Sequence, residues 1–184
     1  MSDLTIKHAD NTITQLRPGM TSTNQRLNEM KVDFIDVTIS TDGAAHVAGD
    51  IINEPVKIEN ALNVKGGTAI LQSAALIVGS GSEEVGSITA IITNNGPTDL
   101  AGIAANDPLA SGTDALAVWD GFCGMFTFTN GRDAGVVTIH DKKNIGMVCK
   151  GESDSRDLYV CLVAESTDDY DSNNMVIRLG FIKD

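Results

Sequence analysis

Apolar and polar positions follow no firm period in residues 1–30, and from Val32 onward they do. "DFIDVTIST" sets Ile35, Val37 and Ile39 against Asp36, Thr38 and Ser40, the period of two of a half-buried strand. "TDGA" at 41–44 predicts a turn. "AHVAGDIINEPVKI" predicts one or two extended pieces, with Pro55 restricting them to a sheet edge or a bulge. A Gly-Gly turn leads into a long apolar strand near 67–78. "GSITAIITN" then alternates Ile88, Ala90 and Ile92 with Thr89, Ile91 and Thr93. "NNGPTDLAGIAANDPLASG" predicts a long loop, and "TDALAVWDGF" a short helix capped by Thr113 or Asp114 with Leu116, Val118 and Trp119 on its apolar face. "CGMFTFTNGRDAGVVTIH" predicts a hairpin: Phe126 and Phe128 run out, Asn130-Gly131 turns, and Val137 and Ile139 return. Three further strands follow, in "KNIGMVCKGES", "RDLYVCLVAE" and the closing "NNMVIRLGFIKD", the first short and the second buried.

Strands that succeed one another without intervening helices exclude a parallel βαβ architecture. The expected fold is all-β: an antiparallel β-sandwich of jelly-roll type with one or two short helices, and a closed barrel as the alternative. Two regions are expected, an extended N-terminal arm over 1–30 and a sandwich body over 31–184. The arm is polar, but Leu4, Ile6, Ile13 and Leu16 are spaced like pegs that could dock on a neighbour. A disordered terminus is the competing reading.

Composition narrows the function. The chain has 184 residues, enough for a core without staples, and 42% are hydrophobic, which excludes a disordered chain. Aromatics are only 4%, so the core rests on aliphatic residues and no stacking platform is expected. The net charge of −12 excludes nucleic acid or an anionic membrane as the main partner. Residues 1–31 carry Lys7, Arg17, Arg26 and Lys31 against Asp3, Asp10 and Glu29, so their net sign is opposite to that of the remainder. No apolar run is long enough to span a bilayer, and no basic start leads into the apolar stretch of a secretory leader. Cys123, Cys149 and Cys161 are odd in number and widely spaced, which is neither a disulfide framework nor a zinc site. A reducing compartment during synthesis fits them.

Residues that could carry chemistry do not assemble into a motif. His8, His46 and His140 lie far apart. "GSGS" at 79–82 lacks the lysine and helix of a phosphate loop. Asp169, Asp171 and Asn173 alternate as calcium ligands do, without the loop glycine and the later glutamate. No nucleophile elbow or Cys–His pairing is visible. The expectation is a protein that is not an enzyme and has no catalytic residue, no metal and no cofactor.

The order "ALNVKGGTAILQSAALI", helical "TDALAVWDGF", "NIGMVCKGESDSRDLYVCLVAESTDDY" and terminal "MVIRLGFIKD" resembles the capsid decoration or cement proteins of tailed bacteriophages. The likeness covers most of 31–184 and leaves the arm out; its word-like pieces are "VKGGTA" and "LGFIKD". It implies a virion structural protein, a compact β-rich module and often a homotrimer. Such a module is made in the host cytoplasm and sits on the outer surface of the capsid. There it binds the major capsid protein and stabilises contacts between its subunits. Self-association is expected also from the last strand, whose Ile177 and Phe181 on one face and Val176 and Ile182 on the other call for cover on both sides. The arm is the expected attachment element, through Leu4, Ile6, Ile13, Leu16, Arg17 and Arg26. The alternative is a host-adhesion module, a head-fibre or tail-associated carbohydrate-binding sandwich.

Overall fold

The computed structural model describes residues 4–7, 13–16, 32–41, 45–79, 86–96, 105, 108–109, 121–129, 131–134, 137–169 and 175–183. The chain divides into two units, Met1–Lys31 and Val32–Asp184. In the first, β1 (Leu4–Lys7) and β2 (Ile13–Leu16) pair antiparallel, with Leu4 opposite Leu16 and Lys7 opposite Ile13. This stretch is therefore a two-stranded ladder and not one continuous extended segment. Each strand gives the other's backbone the hydrogen bonds it would otherwise take from water.

The second unit is all-β. Its strands are β3 (Val32–Ile39), β4 (Ala45–His46), β5 (Val56–Ile58), β6 (Thr68–Gly79), β7 (Ile88–Thr93) and β8 (Phe122–Phe128), then β9 (Arg132–Asp133), β10 (Val137–Lys150), β11 (Leu158–Ala164), β12 (Asp168–Asp169) and β13 (Met175–Lys183). They form a five-stranded sheet, β3-β13-β6-β10-β9, and a four-stranded sheet, β5-β11-β7-β8, all antiparallel; β4 and β12 make a small ladder of their own. Among the principal strands, first pairs with last (β3·β13), second with next to last (β5·β11), then β6 with β10 and β7 with β8. Successive pairs alternate between sheets. This nesting is the strand order of a long double ladder rolled up, the connectivity of a jelly roll.

The two inner faces meet in one core. Val37, Ile39, Leu71, Leu76, Val78, Ile177, Leu179 and Phe181 come from one sheet, and Ile58, Ile88, Ile92, Phe126, Phe128, Val160 and Leu162 from the other. In β6 the buried positions run Ala69, Leu71 and then Ala74, Leu76, Val78, so the phase changes once. Both neighbours record the same irregularity: β13 shifts register between Gly180 and Phe181, and β10 between Lys143 and Met147, where Asn144 and Gly146 take positive φ of 57° and 66°. These bulges let one strand keep its apolar side inward along its full length despite the odd spacing.

Two expectations change. Phe126-Phe128 and Val137-Ile139 do not form a hairpin. β8 pairs with β7 and β10 with β6, in different sheets, and the short return of β10 is to β9 through Thr138 opposite Asp133. Alternation reports that each strand has a buried side and is silent on whether two such strands pair edge to edge or face each other across a core. "KNIGMVCKGES" is not a separate strand but the far half of β10, continued through the bulge. Ile88–Thr93 alternates in sequence, and all six of its residues are buried. Pro55 does precede an edge strand, β5, as its missing N–H requires. The expected helix over "TDALAVWDGF" lies outside the described residues except for Phe122, which opens β8, and the turn residue Gly121.

Candidate functional site

Of the expected attachment residues, Leu4 and Ile6 lie on β1 and Ile13 and Leu16 on β2, while Arg17 and Arg26 lie outside the described residues, as do His8, Trp119, Asp171 and Asn173. Among the described residues no three His, Cys, Asp or Glu side chains gather as metal ligands, and no helix is long and apolar enough to cross a membrane. His46 and His140 are buried. His140 points into the core edge-on to Phe128, with ring centroids 6.2 Å apart and neither ring nitrogen hydrogen-bonded. Burial there holds its imidazole below the usual histidine range.

The surface that stands out is the outer face of the five-stranded sheet. Residues directly opposite on neighbouring strands project to the same side, so register converts four scattered sequence positions into a row. Val32, Ile182, Ile70 and Val148 form one row across β3, β13, β6 and β10. Thr38, Val176, Ile77 and Ile139 form another. Val148 is 62% exposed and Ile139 39%, and Val32, Ile70, Ile77, Val176 and Ile182 are half-buried. Phe34, 64% exposed, extends the first row by lying over Gly180, where an added Cβ would come within 3.0 Å of its ring and within 2.5 Å of Ser73 Oγ. Between the rows Arg178 donates from Nε and Nη2 to the two carboxylate oxygens of Asp36, both at 2.7 Å. That bidentate pair holds the Asp36 carboxyl below the usual range.

The outer face of the four-stranded sheet is different. Ile91, Cys161 and Val163 are buried with Ile51 in a second apolar cluster, with Leu109 and Phe122 packed against it. The segment that carries Ile51 lies beside β11 and is held as an edge strand would be. Gly49 and Ile52 donate their N–H groups to Ala164 and Leu162 carbonyls at 2.7 and 2.8 Å, and Ala164 donates to Asp50 at 2.9 Å. Where the segment bends away, the buried Asn53 side chain takes over, its Oδ1 accepting from Leu162 N–H at 2.9 Å. On the same face Thr89 donates to Glu165 and shares a 2.8 Å hydrogen bond with Thr127 opposite.

Two further features lie apart from these faces. Cys123, on β8, packs against the core that contains Cys149, on β10, and the two thiols influence each other, a pairing that sequence spacing had not brought together. The hydrogen bond from Cys149 brings the Cys123 thiol down to about 7 against the opposing effect of burial; the same bond and burial push Cys149 up. Cys161 has no such neighbour, and burial pushes it up to about 12. An open polar cleft of about 340 Å³ lies between the turn after β5 and the loop before β11, lined by Glu59, Asn60, Lys65, Asp154 and Arg156 among others.

No family model matches the chain, and no curated protein matches it in sequence. Among solved structures, a chain titled Desmodium yellow mottle tymovirus aligns at 11% identity over 82% of this chain and 85% of that one, with a TM-score of 0.26. A likeness at that score says nothing about what this chain does.

Proposed function

We propose that the chain is a virion structural protein of the decoration or cement kind, seated on the outer surface of a tailed-phage head, where it ties neighbouring major capsid subunits together. The observation that supports this reading best is the pair of apolar rows on the open sheet face, framing the Asp36–Arg178 pair. Contiguous exposed apolar surface on a small domain marks contact with another macromolecule. A broad, flat sheet suits a repeated lattice more than a small ligand. The sequence resemblance supplies the partner class. In this reading Met1–Lys31 is the attachment arm, carrying charge opposite in sign to the acidic body, and a homotrimer multiplies weak contacts through effective concentration. The module is made in the host cytoplasm, binds no nucleic acid directly and performs no catalysis.

The test is a truncation that starts at Val32, compared with the full chain on particles stripped of the native protein. The truncation should remain β-rich and lose most of its binding. Undiminished binding would remove the arm from the mechanism, and failure of the full chain to bind would remove the decoration reading itself. The adhesion alternative looks instead to the polar cleft at Glu59, Lys65, Asp154 and Arg156. It predicts glycan binding and a copy number per particle far below that of the major shell protein.

A further inference from the structure

We infer that Cys123 and Cys149 are a site of reversible covalent modification: an internal disulfide, formed by exchange with a small-molecule disulfide, that staples the two sheets together along one edge of the sandwich. The inference stands apart from the proposed function, since it rests only on the placement of these thiols.

The geometry is specific. β8 is the outermost strand of the four-stranded sheet, and β10 lies at the same side of the five-stranded one, with only the two-residue β9 beyond it. No backbone ladder joins β8 to β10, because they belong to different sheets. Side chains alone close this edge: Gly124 backs onto the Met147 side chain, and Cys123 packs against the core that contains Cys149. Both sulfurs also reach local carbonyls, Cys123 Sγ to Gly121 and Lys150 at 3.8 Å each, and Cys149 Sγ to Met147 at 3.9 Å. The Lys150 carbonyl that Cys123 Sγ reaches belongs to the residue next to Cys149, so the two sulfurs lie in one neighbourhood and must close to the disulfide distance of about 2.05 Å.

The two sulfurs differ in the way exchange requires. Cys123 is half-buried, the more accessible of the two, and its thiol is brought down to about 7, which makes it the more readily deprotonated sulfur. Its thiolate attacks one sulfur of glutathione disulfide, breaks that S–S bond and releases one glutathione thiolate, which takes up a proton. Cys149 is fully buried, so it reaches no outside reagent but can reach the mixed disulfide. It attacks Cys123 Sγ, the S–S bond to glutathione breaks, and the departing glutathione thiolate takes up the Cys149 proton. The two protein thiols are oxidised, and one glutathione disulfide is reduced to two thiols. Cys161 is buried in the separate cluster beyond the four-stranded sheet and takes no part.

A chain folded as the dithiol in a reducing compartment would gain the staple on reaching an oxidising one. The bond closes a loop between strands that are otherwise held only by packing, so it should raise the melting temperature by on the order of 10 °C. The experiment incubates the full-length protein with glutathione disulfide, then counts thiols after denaturation and maps the peptides without reductant. The expected result is a fall from three free thiols to one, an intramolecular Cys123–Cys149 link and a reductant-reversible rise in melting temperature. Cys123→Ser should abolish the rise; Cys161→Ala should keep it, whatever its own baseline stability. Three unreacted thiols, a link through Cys161, a dimer, or a glutathione adduct that stops at Cys123 would each overturn the inference. Because Cys123 is only half-buried, Cys123→Ser is expected to fold, which keeps the comparison usable even if substitutions at Cys149 do not.

Discussion

The two sheets of the sandwich share one core and treat their outer faces in opposite ways. In the four-stranded sheet β7 is buried at every position and β11 at six of its seven, and Ile51, Leu109 and Phe122 pack on the side turned away from the core. In the five-stranded sheet β3, β6 and β10 alternate between buried and accessible positions, and the accessible side keeps Val32, Phe34, Ile70, Ile77, Ile139 and Val148 at least partly in water. One sheet thus buries its outer face along β7 and β11 and exposes Met125 of β8, while the other leaves apolar area open on all four of its long strands. Burial is favourable by about 25 cal/mol per Å² of apolar surface, so the open face is where association could still gain free energy.

The largest expected effect separates the faces directly. Ile91→Ala removes a side chain enclosed on the covered face and should cost about 2–5 kcal/mol in urea denaturation. Ile77→Ala, on the open face, should cost about 1 kcal/mol or less. Equal losses would mean that the open face is not open in solution.

A smaller effect tests the core both sheets share. The unfolded chain protonates His140 as pH falls through the ordinary value of 6.5, while the folded chain keeps the ring neutral to a lower pH. The stability it allows is therefore complete above that value. It is lost as pH falls from there towards the depressed folded value, at up to about 1.4 kcal/mol per pH unit. Comparing urea midpoints between about pH 7 and 5 for the wild type and His140→Leu isolates the term from His8 and His46. The variant should show the shallower slope, and identical slopes would mean that the imidazole reaches water or a partner.

The smallest effect on folding is expected at Val148→Ser, within about 0.5 kcal/mol of the wild type because the side chain is mostly exposed. The same substitution should weaken particle binding under the proposed function. A variant that loses stability but binds fully would place Val148 in the fold and not in the contact.

The strands themselves were legible in the sequence, because a half-buried strand must alternate: Ile35, Val37 and Ile39 on β3 and Met175, Ile177, Leu179 and Phe181 on β13 face inward as their spacing requires. The all-β class followed from the same signal. Partnership was not legible. Phe126 and Phe128 alternate in the same way whether β8 pairs with β10 or faces it across the core, and only the register of both strands with others decides. The burial of Ile91 and Cys161 depends on Ile51, Leu109 and Phe122, which come from other parts of the chain. The candidate sites share that non-local origin. The row Val32, Ile182, Ile70 and Val148 takes one residue from each of four strands, and the Cys123–Cys149 contact spans two sheets. Local spacing determines which way a side chain points from its own strand. What it meets there depends on the strand order and on the bulges at Gln72 and Asn144, and those were set only when the two sheets closed on a common core.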